Sequence, residues 1–420
     1  MGRPRKSDQA GEVPELDSLV DGLLDTLNKK ATSSKAILAG DLAQNTWGLP
    51  IPPIAFQYAI GGVNVMPCQR YYQVSGEHKS FKSTLFKEIG CWYMEAGGIY
   101  FDIDNEGKTS STMFDAMSWW REETLSKGRH IFKATESLEE WQAQITEAVK
   151  FAKKVGPRQP GKRIPIFVVL DSLTAKASED AQTELAKEGH AAGRGYPIAA
   201  ASTANFLKAT NLLGTTLSLG VVRHMSQDLS AQGPSYGGPK MKEAGAVMMN
   251  FQYSVALRLQ RGEVVRAASH DGAPCPDLPV EGYTIYMTAT QSCLGPIIDR
   301  KLAVDVLWQY VPQADGSKRQ AMWYDWDGAL GRLLWQQKYD ENNKAYEIER
   351  EQLDAILPFT AKGKKINCEM LGLQEASWTK FGQAIRANPE LSAKLQQYFN
   401  IAKYPDLQTA EIEAIEQHEE

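Results

Sequence analysis

Residues 75–84 read SGEHKSFKST, between RYYQV (70–74) and LFKEIGCWYMEA (85–96). The first flank reads as a strand and the second as a helix. At their junction Gly76, Glu77, His78, Lys79, Ser80, Phe81, Lys82 and Ser83 follow the pattern G-x-x-x-x-G-K-[ST], except that Phe81 replaces the second glycine. Such a loop cradles phosphate oxygens with backbone N–H groups at a helix N-terminus, while a lysine adds a point charge and a hydroxyl ligates magnesium. Lys82, Ser83 and Thr84 would open the helix. Phe81 calls for an ordinary negative φ, which a place in the first helical turn would provide, and for room to seat its ring. Taken alone, the stretch supports two readings: a phosphate loop, or a basic turn at a helix start.

From residue 70 onward strands and helices alternate. GIYFDID (98–104) reads as a strand ending in carboxylates. SLEEWQAQITEAVKFAKKVG (137–156) reads as a helix with a capping box from Ser137 to Glu140 and with Trp141, Ile145 and Val149 on one face. IPIFVVLDSL (164–173) is a buried strand ending in Asp171, and TTLSLGVVRHM (215–225) another, ending at His224. Near-continuous apolar strands separated by helices predict an α/β fold with a parallel sheet covered on both faces. YSVALRLQ, YTIYMTA and LAVDVLWQY (253–310) follow without long helices between them and predict a more antiparallel flank.

Ahead of this core, PELDSLVDGLLDTLNKK (14–30) sets Leu16, Leu19, Val20, Leu23, Leu24 and Leu27 on one helical face. The next stretch, 31–53, has weak periodicity, closes with Pro50, Pro52 and Pro53, and reads as a linker. The residues leave open whether that helix packs on a neighbouring protomer or on its own core. The expected organisation is an N-terminal helix and linker (1–45), a core (46–335), a small mainly helical C-terminal domain (336–405) and an acidic tail (406–420).

Composition excludes several classes. A formal net charge of −5 rules out a globally basic coat, so any nucleic-acid surface is local. Cys68, Cys91, Cys275, Cys293 and Cys368 are odd in number and form no C-x-x-C pair, which argues against a disulfide framework or a zinc site. The histidines form no H-E-x-x-H pattern. No apolar run reaches the roughly 18 to 20 residues of a membrane span, and MGRPRKSDQA lacks the apolar stretch of a signal peptide. A cytoplasmic protein with no membrane partner is the expectation.

The strand ends carry the remaining candidates. Asp171 is suited to hold magnesium together with Ser83. Asp102, Asp104 and Glu106 end another strand, where a carboxylate can orient or deprotonate an attacking water. His224 supports two readings, a side chain that senses a γ-phosphate or a solvated strand terminus. Two glycine-rich loops follow the same logic. One, AKEGHAAGRGYP (186–197), contains Arg194 and Tyr196; the other, SQDLSAQGPSYGGPKMKEAG (226–245), contains Tyr236, Gly237, Gly238, Lys240 and Lys242. Lysines and tyrosines there suit phosphate contact and base stacking.

Phosphate loop, DNEG (104–107), carboxylate strand, glycine loop, VVRH (221–224) and long polar loop come in an order that resembles the RecA recombinase family. Within it the chain is most similar to the phage-encoded UvsX type, which likewise carries KSFKS. The resemblance spans nearly the whole chain. It implies a RecA-like P-loop ATPase core with a mostly parallel central sheet, an N-terminal protomer-docking helix and a small helical C-terminal domain. It further implies ATP and Mg2+ as ligands, with Lys82 on phosphate, Ser83 and Asp171 on the ion, Glu106 as catalytic base and His224 coupling nucleotide to DNA. The loops around Arg194 and from Gln227 to Ala246 would bind single-stranded DNA. Implied partners are homologous duplex DNA, further copies of the chain in a helical filament, and single-strand-binding and mediator proteins in a host cytoplasm.

Two departures stand out. Where the family places lysines reaching across the protomer interface, this chain reads TATQSCLG (288–295), with Arg300 and Lys301 the nearest basic residues. Where the family places its adenine-stacking aromatic, this chain has Met113, beside Phe114. Two other functions stay open: a hexameric ring DNA helicase on the same core, for which Arg258, Arg261 and Arg300 are finger candidates, and a nucleotide-binding assembly protein without turnover.

Overall fold

A computed structural model describes residues 29, 48–107, 129–155, 164–173, 195–212, 215–227, 241–243, 253–266, 279–294, 301–312, 316, 318–339 and 378–403. The chain divides into two compact units, Met1–Thr46 and Trp47–Glu420, and every element below belongs to the second. The helix read over 14–30, Lys29 apart, and the acidic tail lie outside the described residues.

The second unit opens with β1 (Gly48–Pro50), α1 (Ile54–Ala59) and β2 (Val65–Pro67). β1 and β2 pair antiparallel, so closely that a Cβ on Gly48 would lie 2.2 Å from the Met66 carbonyl oxygen. Leu49 and Ile51 are buried, which corrects the linker reading at its C-terminal end. A three-residue strand is too short to show periodicity, and its prolines fit a small edge pairing.

The main sheet starts with β3 (Tyr71–Gly76), followed by α2 (Lys82–Glu95), β4 (Ile99–Asp104), β5 (His130–Ala134), α3 (Leu138–Val155) and β6 (Ile166–Asp171). Next come α4 (Gly195–Ala209), β7 (Leu217–Gln227), β8 (Met241–Glu243), β9 (Val255–Arg266), β10 (Val280–Ser292), β11 (Lys301–Pro312) and β12 (Lys318–Asp325). Three helices close the described chain: α5 (Trp326–Tyr339), α6 (Trp378–Arg386) and α7 (Pro389–Tyr398).

The strands lie in the order β12-β11-β10-β9-β3-β7-β6-β4-β5, with β8 paired to β7. β5, β4, β6, β7, β3 and β9 run parallel, and β9 to β12 continue as an antiparallel flank. The expected α/β class, the parallel sheet and its antiparallel extension are all present. β5 and β12 carry no strong periodic signal and were not legible in the sequence.

Both faces of the sheet are covered because successive side chains of each strand point to opposite sides. Phe167 and Val169 of β6 join Val74, Phe86, Ile89, Val304 and Leu334 in one core, on the side of α2 and α5. Val168 and Leu170 join Trp141, Ile145, Leu207 and Val221 in the other, on the side of α3 and α4. The capping box of α3 forms in part. Ser137 Oγ accepts from Glu140 N at 3.1 Å, while Glu140 Oε2 accepts from the N–H of Glu136, one residue before the expected partner. α5, α6 and α7 pack into the α2-side core through Leu333, Phe381, Ile385 and Leu395. Among the described residues no helix is long and apolar enough to cross a membrane.

Candidate active site

Parallel strands bring their C-terminal ends to one edge of the sheet, where ligands of open α/β folds sit. Gly76 at the end of β3 is level with His224 on β7, and Asp104 at the end of β4 is level with Asp171 at the end of β6. The sequence-predicted core residues therefore converge from four strands that are consecutive neighbours in the sheet, β3, β7, β6 and β4.

The loop after β3 begins at a glycine that admits no side chain: a Cβ on Gly76 would lie 2.4 Å from the Leu259 carbonyl oxygen and 2.5 Å from Ser80 Oγ. Lys79 has φ 61° and Phe81 φ 60°, whereas Ser80 between them is not left-handed. Alternation of hand along a short run turns successive N–H groups toward one point, the geometry of an anion-binding nest. α2 then starts at Lys82, so its N-terminus adds positive potential. Inside the loop, Glu77 O accepts from Ser80 Oγ at 2.8 Å and from Lys82 Nζ at 2.6 Å, and Ser80 Oγ lies 3.4 Å from the same ammonium. Glu77, His78 and Lys79 are exposed, whereas Ser80, Lys82 and Thr84 are buried.

Phe81 corrects the sequence reading. It is the left-handed N-cap of α2, with φ 60° and ψ 26°, and not a residue of the first helical turn. That conformation costs a non-glycine residue about 1 to 2 kcal/mol. Its ring finds a seat on the antiparallel flank, 6.3 Å from the ring centre of Tyr283 and 6.2 Å from that of Trp308.

The three carboxylates of DIDNE take three different roles. Asp102 is fully buried and pairs with Lys87 at 2.9 Å. Burial alone would drive Lys87 down, but Asp102, Asp171 and Asp104 hold it above its ordinary value. Asp104 Oδ1 accepts from the N–H groups of Glu106 and Gly107, both at 2.8 Å, and so shapes the turn that presents Glu106. Glu106 Oε1 meets His224 Nε2 and accepts from Ser172 Oγ at 2.7 Å. One carboxylate oxygen is thus held from the residue after β6 and from within β7.

Asp171 is buried, and burial pushes its carboxyl up to about 6, against Lys87 and a hydrogen bond from Ser83 that lower it. Contact between Ser83 and Asp171 places a hydroxyl and a carboxylate together beside the loop, the donor pair that suits magnesium. Among the described residues no cluster of three or more His, Cys, Asp or Glu forms a cation site.

Other sequence candidates are placed differently from expectation. β7 does not end at His224; it runs to Gln227 and pairs antiparallel with β8, Ser226 opposite Lys242. The second glycine-rich loop therefore leaves and re-enters through a short ladder. Tyr196 lies in the first turn of α4, not in a loop. Lys301 opens β11 with its ammonium 4.3 Å from the ring centre of Tyr286. Arg194, Tyr236, Gly237, Gly238, Lys240, Met113, Phe114 and Arg300 lie outside the described residues.

Two participants, and a histidine at the opposite, N-terminal end of β5, escaped the sequence reading. Ser172 was hidden because a serine after a strand-end aspartate is common. Lys87 was hidden because a lysine on an amphipathic helix is ordinarily solvated. His130 lies on β5 with its ring stacked on Tyr100, 5.1 Å between centres and 11° between planes. Desolvation holds His130 down to about 4, opposed by Asp102 and assisted by Lys87. The unfolded chain takes up that proton near pH 6.5, whereas the fold refuses it until about pH 4. This contribution is therefore intact above pH 6.5 and is lost as pH falls through that window. Between pH 7.5 and 4.5 the unfolding free energy of wild type should fall about 2 kcal/mol further than that of His130→Gln. Equal losses in urea titrations at the two pH values would contradict this.

No protein-family model matches the chain, and no curated protein matches it.

Proposed function

We propose that the chain is a DNA-dependent ATPase of the RecA recombinase type, which polymerises on single-stranded DNA and drives homologous pairing and strand exchange. The observation that carries this reading is the meeting of three features at one sheet edge, together with the sequence that follows β7. These are a loop of alternating hand closed by Lys82, the Ser83–Asp171 pair, and a glutamate fixed by Ser172 and His224; in sequence a long polar segment begins where β7 ends, three residues after that histidine. The α/β architecture, with parallel strands flanked by an antiparallel extension, is compatible with a RecA-like core.

In this reading the loop N–H groups and Lys82 bind the phosphates of ATP. Ser83 and Asp171 would hold Mg2+, whose charge offsets that of the phosphate oxygens. Glu106 takes a proton from the attacking water as its oxygen bonds the γ-phosphorus and the bond to the β–γ bridging oxygen breaks, giving ADP and phosphate. His224 touches Glu106 and stands on the strand that continues into the proposed DNA loop, so a shift at the nucleotide has a short mechanical route to Lys242 and its neighbours. Docking of the N-terminal helix on an adjacent copy completes the filament reading.

The test is to measure ATP hydrolysis with and without single-stranded DNA and to image the protein with DNA and a slowly hydrolysed ATP analogue. Helical filaments with DNA-stimulated turnover are expected. Closed rings with directional unwinding would replace the reading with a helicase, and no hydrolysis under any condition would leave a nucleotide-binding assembly protein.

A further inference from the structure

The substitution of Phe81 for glycine has a structural counterpart on the antiparallel flank. In a loop with glycine there, the left-handed residue costs nothing and the loop stands alone. Here the conformation is unfavourable for the residue that adopts it, and two separate contacts offset it. The ring seats against both Tyr283 of β10 and Trp308 of β11, whose own ring centres lie 5.6 Å apart. The carbonyl oxygen of Phe81 accepts the first helical N–H, from Leu85, at 3.1 Å, and also the Tyr324 hydroxyl from β12 at 2.9 Å. Tyr324 is itself buried and stacked at 11° on Trp326, whose Nε1 donates to buried Glu88 of α2 at 2.7 Å. The flank thus grips α2 at its N-cap, and the first residue of α5, which follows β12 directly, holds it again two turns later.

We propose that Tyr324, Tyr283 and Trp308 are positioning residues for nucleotide phosphates, acting through Phe81: the flank holds the phosphate loop in its binding shape. This rests on the ATP-binding reading above. Neither aromatic ring nor tyrosine hydroxyl needs to touch the nucleotide; each fixes the backbone whose N–H groups do. Specific to this mechanism is its dependence on the residue at position 81. With glycine there the left-handed conformation no longer needs the ring pocket, so the pocket ceases to matter for nucleotide affinity, while the carbonyl contact of Tyr324 still does.

A double-mutant cycle reads this directly. Equilibrium titration with a fluorescent ATP analogue and Mg2+ is run on wild type, Trp308→Leu, Phe81→Gly, the double variant, Tyr324→Phe and Lys82→Ala, with thermal melts on each. Trp308→Leu is expected to weaken binding about tenfold in the Phe81 background and less than twofold in the Phe81→Gly background. Tyr324→Phe removes one hydrogen bond and should weaken binding about fivefold, the equivalent of a net hydrogen bond. The same loss from Trp308→Leu in both backgrounds, or none in either, in proteins with wild-type melts, would overturn the inference and leave the ATP reading intact. Binding by Lys82→Ala as tight as wild type, or no binding by wild type, would instead overturn the ATP reading and the inference with it.

Discussion

Replacing Lys82 by Ala is expected to abolish ATP turnover, with a loss of about 10³-fold or more, the scale seen when a charged donor is removed from phosphoryl-transfer chemistry. Lys82 is buried at the start of α2, and its ammonium already sits inside the loop on Glu77 O and Ser80 Oγ. A cation so placed is aimed at whatever anion the loop cradles. The fold should tolerate the change, because Glu77 O keeps its second donor, Ser80 Oγ. Phosphate release assays and thermal melts together check this. Retained turnover in a stably folded variant would remove Lys82 from the site.

Glu106→Gln should separate binding from chemistry. The amide keeps the size of the carboxylate and an oxygen that can still accept from Ser172, but it cannot take a proton from water. A drop in kcat of about 10² to 10⁴ is expected, with nucleotide and DNA affinity changed less than about twofold. Single-turnover hydrolysis alongside DNA binding in the presence of ATP distinguishes the two. Near-normal hydrolysis would assign Glu106 a structural role with His224, and the base would have to be sought elsewhere.

Much of this site was legible before any coordinates, because it depends on local rules. Gly76, Lys82 and Ser83 announce themselves by spacing at a strand-to-helix junction, and Asp171 by ending an apolar strand. What local rules do not reach is partnership. Asp102, Asp104 and Glu106 are indistinguishable as strand-end acids, yet one neutralises a buried lysine, one builds a turn and one faces the histidine. The same limit hid β12, whose residue Tyr324 acts 243 positions away on Phe81.

The sequence by itself determined the class of fold, the strand that carries the loop and the residue types at the strand ends. Period-two and period-3.6 patterns, glycine spacing and capping are properties of short segments, and short segments are what a sequence displays. Tertiary structure alone decided which acid meets which base, that β7 runs on past His224 into a ladder with β8, and how a phenylalanine can stand in a left-handed position of the β3–α2 loop. These depend on sheet order, which puts β3 beside β7 and the antiparallel flank within reach of the α2 N-cap. Phe81 is intelligible only there: the conformation is unfavourable within its own ten residues and is stabilised by rings and a hydroxyl from strands more than two hundred residues later.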